Sequence, residues 1–190
     1  MITYQEIDRR FFDQYDRIPM RVQVTHELQL IRPDHGLGGI LLQEVPVHPY
    51  IKNLSRYEIA SDYEKEFDIS NWKFFMAFDG KAPVGAITLA ARTANVRMLD
   101  GRDDLCVLWD IRVHDDYKRR GIGKELFARG VRWAAGEGFR QIKIECQNNN
   151  VPACKFYRDQ GAVLSAINEY AYYGDPEIRG EVQLIWYLDL

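Results

Sequence analysis

The chain has 190 residues, which is enough for one domain with a buried core and short for two. Hydrophobic residues make up 46% and charged residues 28%, a balance typical of a folded globular protein, which excludes disorder as the main state. With 25 basic and 28 acidic residues the net charge is −3, so no global positive field would hold a nucleic acid or an anionic membrane. A phosphate-bearing ligand would need a local basic site.

The three cysteines and four histidines are not spaced as in a disulfide framework or a metal site. We interpret the cysteines as packing residues in a reducing compartment, and we expect no metal. The N-terminus is charged where a signal peptide is apolar, and no window approaches the roughly 20 apolar residues of a membrane span, so we expect a cytoplasmic location. The three cysteines are Cys106, Cys146 and Cys154, and the four histidines are His26, His35, His48 and His114.

Residues 1–70 carry weak secondary-structure signals. Apolar runs predict strands at 22–31 and 40–47, separated by a turn-rich segment. The charged stretch 54–67 is compatible with a short helix, although its period is poor. This N-terminal part is expected to supply elements on the substrate side of the protein.

From residue 72 onward the pattern predicts a hairpin and then alternating strands and helices. Apolar runs at 72–78 and 82–91 flank a tight Asp-Gly turn, and a strand at 106–113 follows. A helix is predicted from about Gly121, then a strand at 140–147, a short helix with Pro152 in its first turn, and two last strands at 163–173 and 181–190. The order predicts a mixed α/β or α+β fold, in one domain over residues 1–190.

The segment between the strand at 106–113 and the following helix carries the strongest functional signal. Two glycines at a helix start allow backbone N–H groups to surround an anion, and the helix dipole adds favourable potential. The segment lacks the Walker pattern and has only two of the three Rossmann glycines. It predicts a phosphate site, and the alternative is a solvated basic turn that only caps the helix. Its residues are Lys118, Arg119, Arg120, Gly121, Ile122, Gly123 and Lys124.

The same segment resembles the Q/R-x-x-G-x-G/A signature of the GNAT superfamily of N-acetyltransferases, with Lys118 where Arg or Gln is usual. Downstream, NNNVPACKFY resembles the family's N-x-x-A-x-x-F/L-Y segment, with Asn150, Ala153, Phe156 and Tyr157 in register. The resemblance covers roughly residues 72–190, and the stretch from residue 144 is similar to streptothricin acetyltransferases. It implies a GNAT-like, mostly antiparallel central sheet flanked by helices, whose strands at 107–113 and 140–147 diverge around a V-shaped slot for acetyl-CoA.

The resemblance also implies a set of residues that contact the coenzyme. The pyrophosphate would lie on the backbone amides of residues 119–124, and a backbone N–H within 111–113 would polarise the thioester carbonyl. For the two asparagines, a helix-cap role is the alternative to a coenzyme contact, and both roles are compatible. The implied contacts are Ile111, Arg112, Val113, Lys118, Arg119, Arg120, Gly121, Ile122, Gly123, Lys124, Asn149, Asn150 and Ala153.

Proton transfer points to two further candidates. By resemblance, Tyr157 is the general acid for the thiolate, with a core aromatic as the alternative. Asp110 is the candidate base or substrate anchor, because it is the only carboxylate of its strand and is expected to face opposite to Trp109 and Ile111. An ion pair with Arg112 or Arg132 is the alternative for Asp110, and a water chain is the alternative base.

A cationic amine would also need a binding pocket. Carboxylates pair with ammonium groups and aromatic faces add cation–π attraction, and solvated surface faces are the alternative explanation for these residues. The candidates are Asp62, Glu64, Glu66, Glu169, Tyr170 and Tyr172.

The sequence therefore predicts an acetyl-CoA-dependent N-acetyltransferase that acetylates a primary amine of a small cationic molecule by direct attack on the thioester. A streptothricin-type antibiotic is one such molecule. The alternatives are acetylation of a protein or peptide and a non-catalytic coenzyme A-binding module. No nucleic acid or membrane partner is expected, and an apolar last strand at a sheet edge would allow a homodimer.

Overall fold

The computed structural model describes residues 1–190 and divides into two compact units. The first unit comprises Met1–Arg21, Asn53–Ile144 and Leu188–Leu190, and the second comprises Val22–Lys52 and Glu145–Tyr187. A single domain over the whole chain stays a prediction. The strands are β1 (Ile2–Glu6), β2 (Arg21–Ile31), β3 (Leu41–Asn53), β4 (Lys73–Asp79), β5 (Ala82–Ala91), β6 (Leu105–Val113), β7 (Gln141–Gln147), β8 (Val163–Asn168) and β9 (Gln183–Asp189), and the α-helices are α1 (Phe12–Asp16), α2 (Tyr63–Glu66), α3 (Ile122–Gly136) and α4 (Val151–Asp159).

In the first unit the strands follow the order β1-β4-β5-β6-β7. The pairs from β1 to β6 are antiparallel, whereas β6 and β7 are parallel. Parallel neighbours need a crossover, and α3 supplies it. The predicted hairpin and the predicted strand, helix and strand over 106–147 are confirmed, as is a mixed α/β fold with a mostly antiparallel sheet.

In the second unit β9 lies between β7 and β8, and β2 and β3 form a separate two-stranded sheet. β8 and β9 are antiparallel. The consecutive residues Leu184, Ile185 and Trp186 of β9 are all buried, as in a strand covered on both faces. The prediction that the last strand lies at a sheet edge is therefore wrong, because β9 has a neighbour on each side.

Long-range contacts explain where the N-terminal part differs from expectation. β1 and α1 carry no pattern that predicted them. The predicted helix over 54–67 is limited to α2 and one preceding 3-10 turn at Ala60–Asp62. The carboxylate of Asp16 accepts the backbone N–H of Ala60 at 2.7 Å and that of Ser61 at 3.1 Å, so a residue of α1 fixes the start of this segment.

β8 is shorter than the predicted strand over 163–173. It ends at Asn168, whose side-chain oxygen accepts the backbone N–H of Tyr170 at 3.0 Å. Such an asparagine turn bends the chain away from the extended conformation. β3 differs in the other direction, because it continues to Asn53 where the sequence predicted an end at residue 47.

α3 packs closely on β5 in the first unit. A Cβ atom at Gly85 of β5 would lie 2.9 Å from Cγ2 of Ile122 and 3.0 Å from Cδ1 of Leu126, both fully buried residues of α3. The glycine thus allows the helix to approach the sheet. The opposite side holds an aromatic core, in which the ring centroids of Phe12 and Phe74 lie 4.9 Å apart.

A β-bulge interrupts the alternation of side chains along β6. Thr88 and Leu89 are consecutive on β5, but their partners on β6 are Asp110 and Leu108, so Trp109 is an extra residue. The insertion shifts the pattern by one position and turns Asp110 toward the side of the sheet that carries the aromatic core. The ring of Trp109 packs against the same core. The prediction that Asp110 faces opposite to Trp109 is therefore wrong.

Asp110 and Arg112 form a buried ion pair on that side of the sheet. Arg112 donates to Oδ2 of Asp110 from Nε at 2.7 Å and from Nη2 at 2.5 Å, and the two side chains are 1% and 0% exposed. The hydroxyl of Tyr15 donates to the same oxygen at 2.9 Å. Arg112 also donates to the backbone oxygens of Ile18 at 3.3 Å and Glu58 at 2.9 Å. The ion pair that the sequence offers as the alternative for Asp110 is present.

We expect Gly85→Ala to lower the free energy of unfolding by about 1 to 3 kcal/mol, because the new methyl group overpacks the contact of β5 with α3. Gly136→Ala is the control, since an added Cβ there meets nothing within 4 Å, and it should raise stability by up to about 1 kcal/mol. Urea denaturation measures both. An unchanged midpoint for Gly85→Ala would contradict close packing of α3 on the sheet.

We expect Arg112→Met to lower the free energy of unfolding by about 3 to 5 kcal/mol, because the buried carboxylate of Asp110 loses its partner. The double variant Asp110→Leu/Arg112→Met should recover part of this loss, since no buried charge remains unpaired. Equilibrium unfolding at pH 7 compares the two variants. A double variant that is no more stable than the single one would show that the loss comes from elsewhere.

Candidate functional site

The segment that precedes α3 forms a turn with an exposed backbone. Arg119 has a φ of 62° and Gly121 a φ of 80°, so two left-handed residues bend the chain before the helix. The first intrahelical bond runs from the N–H of Glu125 to the oxygen of Gly121, which leaves the N–H groups of residues 122–124 without helical partners. A Cβ at Gly121 would meet nothing within 4 Å, so the approach is open. This helix start has the features of an anion site.

Lys118 holds this turn in place. Its Nζ donates to the backbone oxygen of Arg21 at 2.6 Å and lies 2.6 Å from a carboxylate oxygen of Asp115. The same carboxylate pairs with the guanidinium of Arg21 at 2.9 Å. Lys118 is the residue that departs from the GNAT signature. Because its ammonium group is bound by Arg21 and Asp115, the geometry favours a positioning role for it.

The other basic residues of the segment are exposed. The guanidinium of Arg120 lies 4.9 Å from the ring centroid of Tyr117, which restricts its direction. Arg119 and Lys124 are exposed on either side of the glycines. These three cations and the backbone N–H groups are the features that an anionic ligand would meet.

The end of β6 leads directly to this segment. Its parallel ladder with β7 ends at the pair Leu108 and Ile144, whereas β6 continues to Val113. Residues 109–113 thus extend beyond the ladder, which agrees with strands that diverge. A Cβ at Gly123 would lie 3.5 Å from the side chain of Val113, so the end of β6 contacts the first turn of α3. The side chain of Arg112 is buried in its ion pair and is therefore not available to contact a ligand.

The second unit contains the predicted residues of α4 and the turn before it. Asn150 is the N-cap, and its side-chain oxygen accepts the N–H of Ala153 at 3.3 Å, so the helix-cap role is confirmed for Asn150. Asn149 is buried, where its oxygen accepts from Nζ of Lys52 at 3.3 Å and its amide donates to the hydroxyl of Tyr50 at 3.0 Å. A coenzyme contact for these residues stays a prediction.

Tyr157 lies on the buried face of α4 and is 6% exposed. Its ring centroid lies 5.5 Å from that of Phe156. Burial agrees with a core aromatic and also with a proton donor in a site that excludes water. Its role as general acid stays a prediction.

The cysteines have the surroundings of packing residues. All three are free and buried, and the sulfur atoms of Cys146 and Cys154 lie 3.4 Å apart. Burial raises the pKa of Cys106 to about 12, the opposite of what a nucleophilic thiolate requires. No group of three or more His, Cys, Asp or Glu residues could hold a metal ion. None of the helices has the length and apolar character that crossing a bilayer requires.

A cavity of about 220 Å³ lies beside α2 in the first unit. Three carboxylates, one guanidinium and several aromatic rings line it, and Trp109 brings the β6 bulge into its wall. Carboxylates and aromatic faces both attract organic cations. The lining residues are Arg56, Tyr57, Glu58, Ile59, Asp62, Tyr63, Glu66, Phe67 and Trp109.

Two of the residues that the sequence proposes for an amine pocket, Asp62 and Glu66, lie together in this cavity. Glu64 does not line it, and its carboxylate lies 3.8 Å from Arg9. The remaining three candidates belong to the second unit. They are Glu169, Tyr170 and Tyr172.

Glu58 is the cavity residue that sequence reasoning missed. Its carboxylate accepts the hydroxyl of Tyr63 at 3.1 Å. Burial, and then the negative charge of Asp110, raise the pKa of Glu58 to about 8, although the hydrogen bond from Tyr63 and the positive charge of Arg112 oppose the rise. Burial likewise raises the pKa of Asp110, opposed by its bonds to Arg112. A carboxyl group with a pKa near neutrality can take up and release a proton under physiological conditions.

Comparison with known proteins agrees with this geometry. Residues 34–162 match the acetyltransferase (GNAT) family, so the match begins before residue 72, where the sequence resemblance begins. The chain is 31% identical over 85 residues to a streptothricin acetyltransferase of Escherichia coli, which is 45% of this chain and 49% of that protein. It is 31% identical over 78 residues to streptothricin acetyltransferase A of Bacillus subtilis (strain 168), 41% of this chain and 44% of that protein. The chain thus spans about half the length of the curated relatives it matches.

A solved structure is similar over the whole chain. It is the crystal structure of a candidate streptothricin acetyltransferase from Bacillus anthracis str. Ames in complex with acetyl coenzyme A, with 25% identity and a TM-score of 0.78. The similarity covers 100% of this chain and 98% of that chain. Because the family match covers more than half of the sequence and the fold agrees, the chain belongs to the acetyltransferase (GNAT) family.

Proposed function

We propose that the protein is an acetyl-CoA-dependent N-acetyltransferase whose acceptor is a primary amine of a small cationic molecule. One observation carries the proposal: residues 109–113 of β6, which extend beyond the ladder with β7, join a helix start that has the features of an anion site to an acidic, aromatic cavity within the first unit. Trp109 at one end lines the cavity, and Val113 at the other end contacts the first turn of α3. At about 3.3 Å per residue the two ends lie roughly 13 Å apart along the strand.

The residues at the start of α3 fit the phosphates of coenzyme A. They offer three N–H groups without helical partners, an open approach at Gly121, and the exposed cations of Arg119, Arg120 and Lys124. Family membership and the acetyl coenzyme A complex of the Bacillus anthracis protein support the same ligand. Bound acetyl-CoA supplies the acyl group as a thioester.

The protein residues bind and orient the reactants. A backbone N–H within residues 111–113 polarises the thioester carbonyl as negative charge develops on its oxygen. The amine nitrogen attacks the carbonyl carbon, and the bond to sulfur breaks. Tyr157 is the proposed proton donor to the departing thiolate.

The cavity favours a cationic acceptor, because its acidic residues outnumber its one guanidinium and four aromatic residues complete its wall. Streptothricin belongs to this chemical class, and the two curated relatives are streptothricin acetyltransferases. We therefore propose a streptothricin-type antibiotic as the first acceptor to test.

The function is tested by release of free thiol from acetyl-CoA in the presence of streptothricin, aminoglycosides, polyamines or short peptides. We expect the highest kcat/KM with a small polycationic amine, and we expect acetyl-CoA to raise the Tm by mass action. Faster turnover of peptides would support a protein or peptide acetyltransferase instead. Thermal stabilisation by acetyl-CoA without thiol release from any amine would contradict catalysis and favour the non-catalytic module.

We expect Tyr157→Phe to lower kcat by about 10² to 10⁴-fold, because the thiolate would leave without its proton donor. The KM for acetyl-CoA should change little, since the ring remains in place. Tyr173→Phe, which changes a 71% exposed tyrosine, is the matched control and should leave kcat unchanged. An unchanged kcat in Tyr157→Phe would show that Tyr157 is not the general acid, but it would not contradict the proposed acetyltransferase activity.

A further inference from the structure

We propose that Glu58 is the general base that takes the proton from the acceptor ammonium, and that this ammonium is held in the cavity beside α2. The inference rests on the proposed N-acetyltransferase activity. It assigns the proton acceptor to a residue outside the strand where the sequence placed the candidate base.

Asp110 is enclosed by the protein. Its side chain is 0% exposed, and its Oδ2 atom accepts bonds from Arg112 and Tyr15. It does not line the cavity. A substrate amine therefore has no access to this carboxylate, and the geometry gives Asp110 a positioning role.

Glu58 lines the cavity and is held at two points. Its backbone oxygen accepts from Nη2 of Arg112 at 2.9 Å, and its carboxylate accepts from the hydroxyl of Tyr63 at 3.1 Å. Trp109 lines the same cavity and lies two residues before Ile111, about 7 Å along an extended strand. An ammonium beside Glu58 is thus close to the stretch of β6 that is proposed to polarise the thioester.

The charges around Glu58 suit a base that works near neutral pH. Burial and the charge of Asp110 raise its pKa to about 8, which approaches that of an alkylammonium group, so proton transfer costs little. The groups that lower the pKa of Glu58 are Tyr63 of α2 and Arg112 of β6. The titratable and charged groups that face Glu58 or line its cavity are Arg56, Tyr57, Asp62, Tyr63, Glu66, Asp110 and Arg112.

The proton transfers balance as follows. The ammonium gives one proton to the carboxylate of Glu58, and the neutral amine forms the C–N bond to the thioester carbonyl. The C–S bond then breaks, the nitrogen loses its second proton, and the thiolate becomes the thiol of coenzyme A. Glu58 returns its proton to solvent, so the net products are the amide, the thiol and one proton.

The test compares Glu58→Gln with wild type. Glutamine keeps the shape and the oxygen that accepts from Tyr63 but cannot act as a base at neutral pH. We expect kcat to fall by about 10² to 10⁴-fold, with the KM for acetyl-CoA unchanged. We also expect the acidic limb of the pH profile of kcat to disappear. Glu58→Asp should retain that limb and part of the activity.

The control is Glu137→Gln, which changes an exposed carboxylate beyond the end of α3. It should leave kcat and the pH profile unchanged. Wild-type turnover with an unaltered rate and profile in Glu58→Gln would overturn this inference and leave the proposed function standing. No turnover of any amine by wild type would overturn both.

A stability measurement checks the state of Glu58 without catalysis. Because its pKa is raised from 4.5 to about 8 in the folded protein, Glu58 lowers stability progressively as the pH rises through that interval. Glu58→Gln removes this loss, so its Tm relative to wild type should increase between pH 5 and pH 9. A constant Tm difference would show that Glu58 titrates as an ordinary exposed carboxyl and would contradict the environment on which the inference depends.

Discussion

The ion pair between Asp110 and Arg112 is the interaction on which the first unit depends. Removing two charges from water is costly, so the attraction between the two charges is by itself weak evidence for stability. An apolar pair could not replace the geometry, however. One guanidinium binds the carboxylate of its own strand and the backbone oxygens of Ile18 and Glu58. It therefore joins β6 to the chain after α1 and to the segment that forms the cavity wall.

The bulge at Trp109 makes this pair possible. With a regular alternation, a shift of one position moves a side chain to the other face of a sheet, and the extra residue produces that shift for Asp110 and Arg112. The same insertion leaves Val113 on the side of α3, where it contacts the first helical turn. The bulge at Trp109 thus places the buried pair Asp110 and Arg112 on the core side of β6. Val113 lies on the side of α3, where the coenzyme is proposed to bind.

The local parts of this architecture could be predicted from the sequence, and the long-range parts could not. The hairpin of β4 and β5, the glycines before α3 and the cap at Asn150 depend on neighbouring residues and were recognised from their patterns. Tyr15 lies 95 residues from Asp110 in the chain, so no local pattern reveals their hydrogen bond. Glu58 was missed for the same reason, because its burial results from Arg112, Tyr63 and Trp109 rather than from any period in its own segment.

Under the proposed function, electrostatic attraction would direct the two substrates to different sites before the reaction begins. The net charge of −3 gives a weak overall field, so each site acts through its own charges. The anionic end of the coenzyme meets the N–H groups and cations at the start of α3, whereas an amine meets the carboxylates beside α2. The two sites lie about 13 Å apart along β6, further than the screening length of about 8 Å at physiological salt. Opposite charges at that separation do not cancel, and a single strand can direct an anion to one end and a cation to the other.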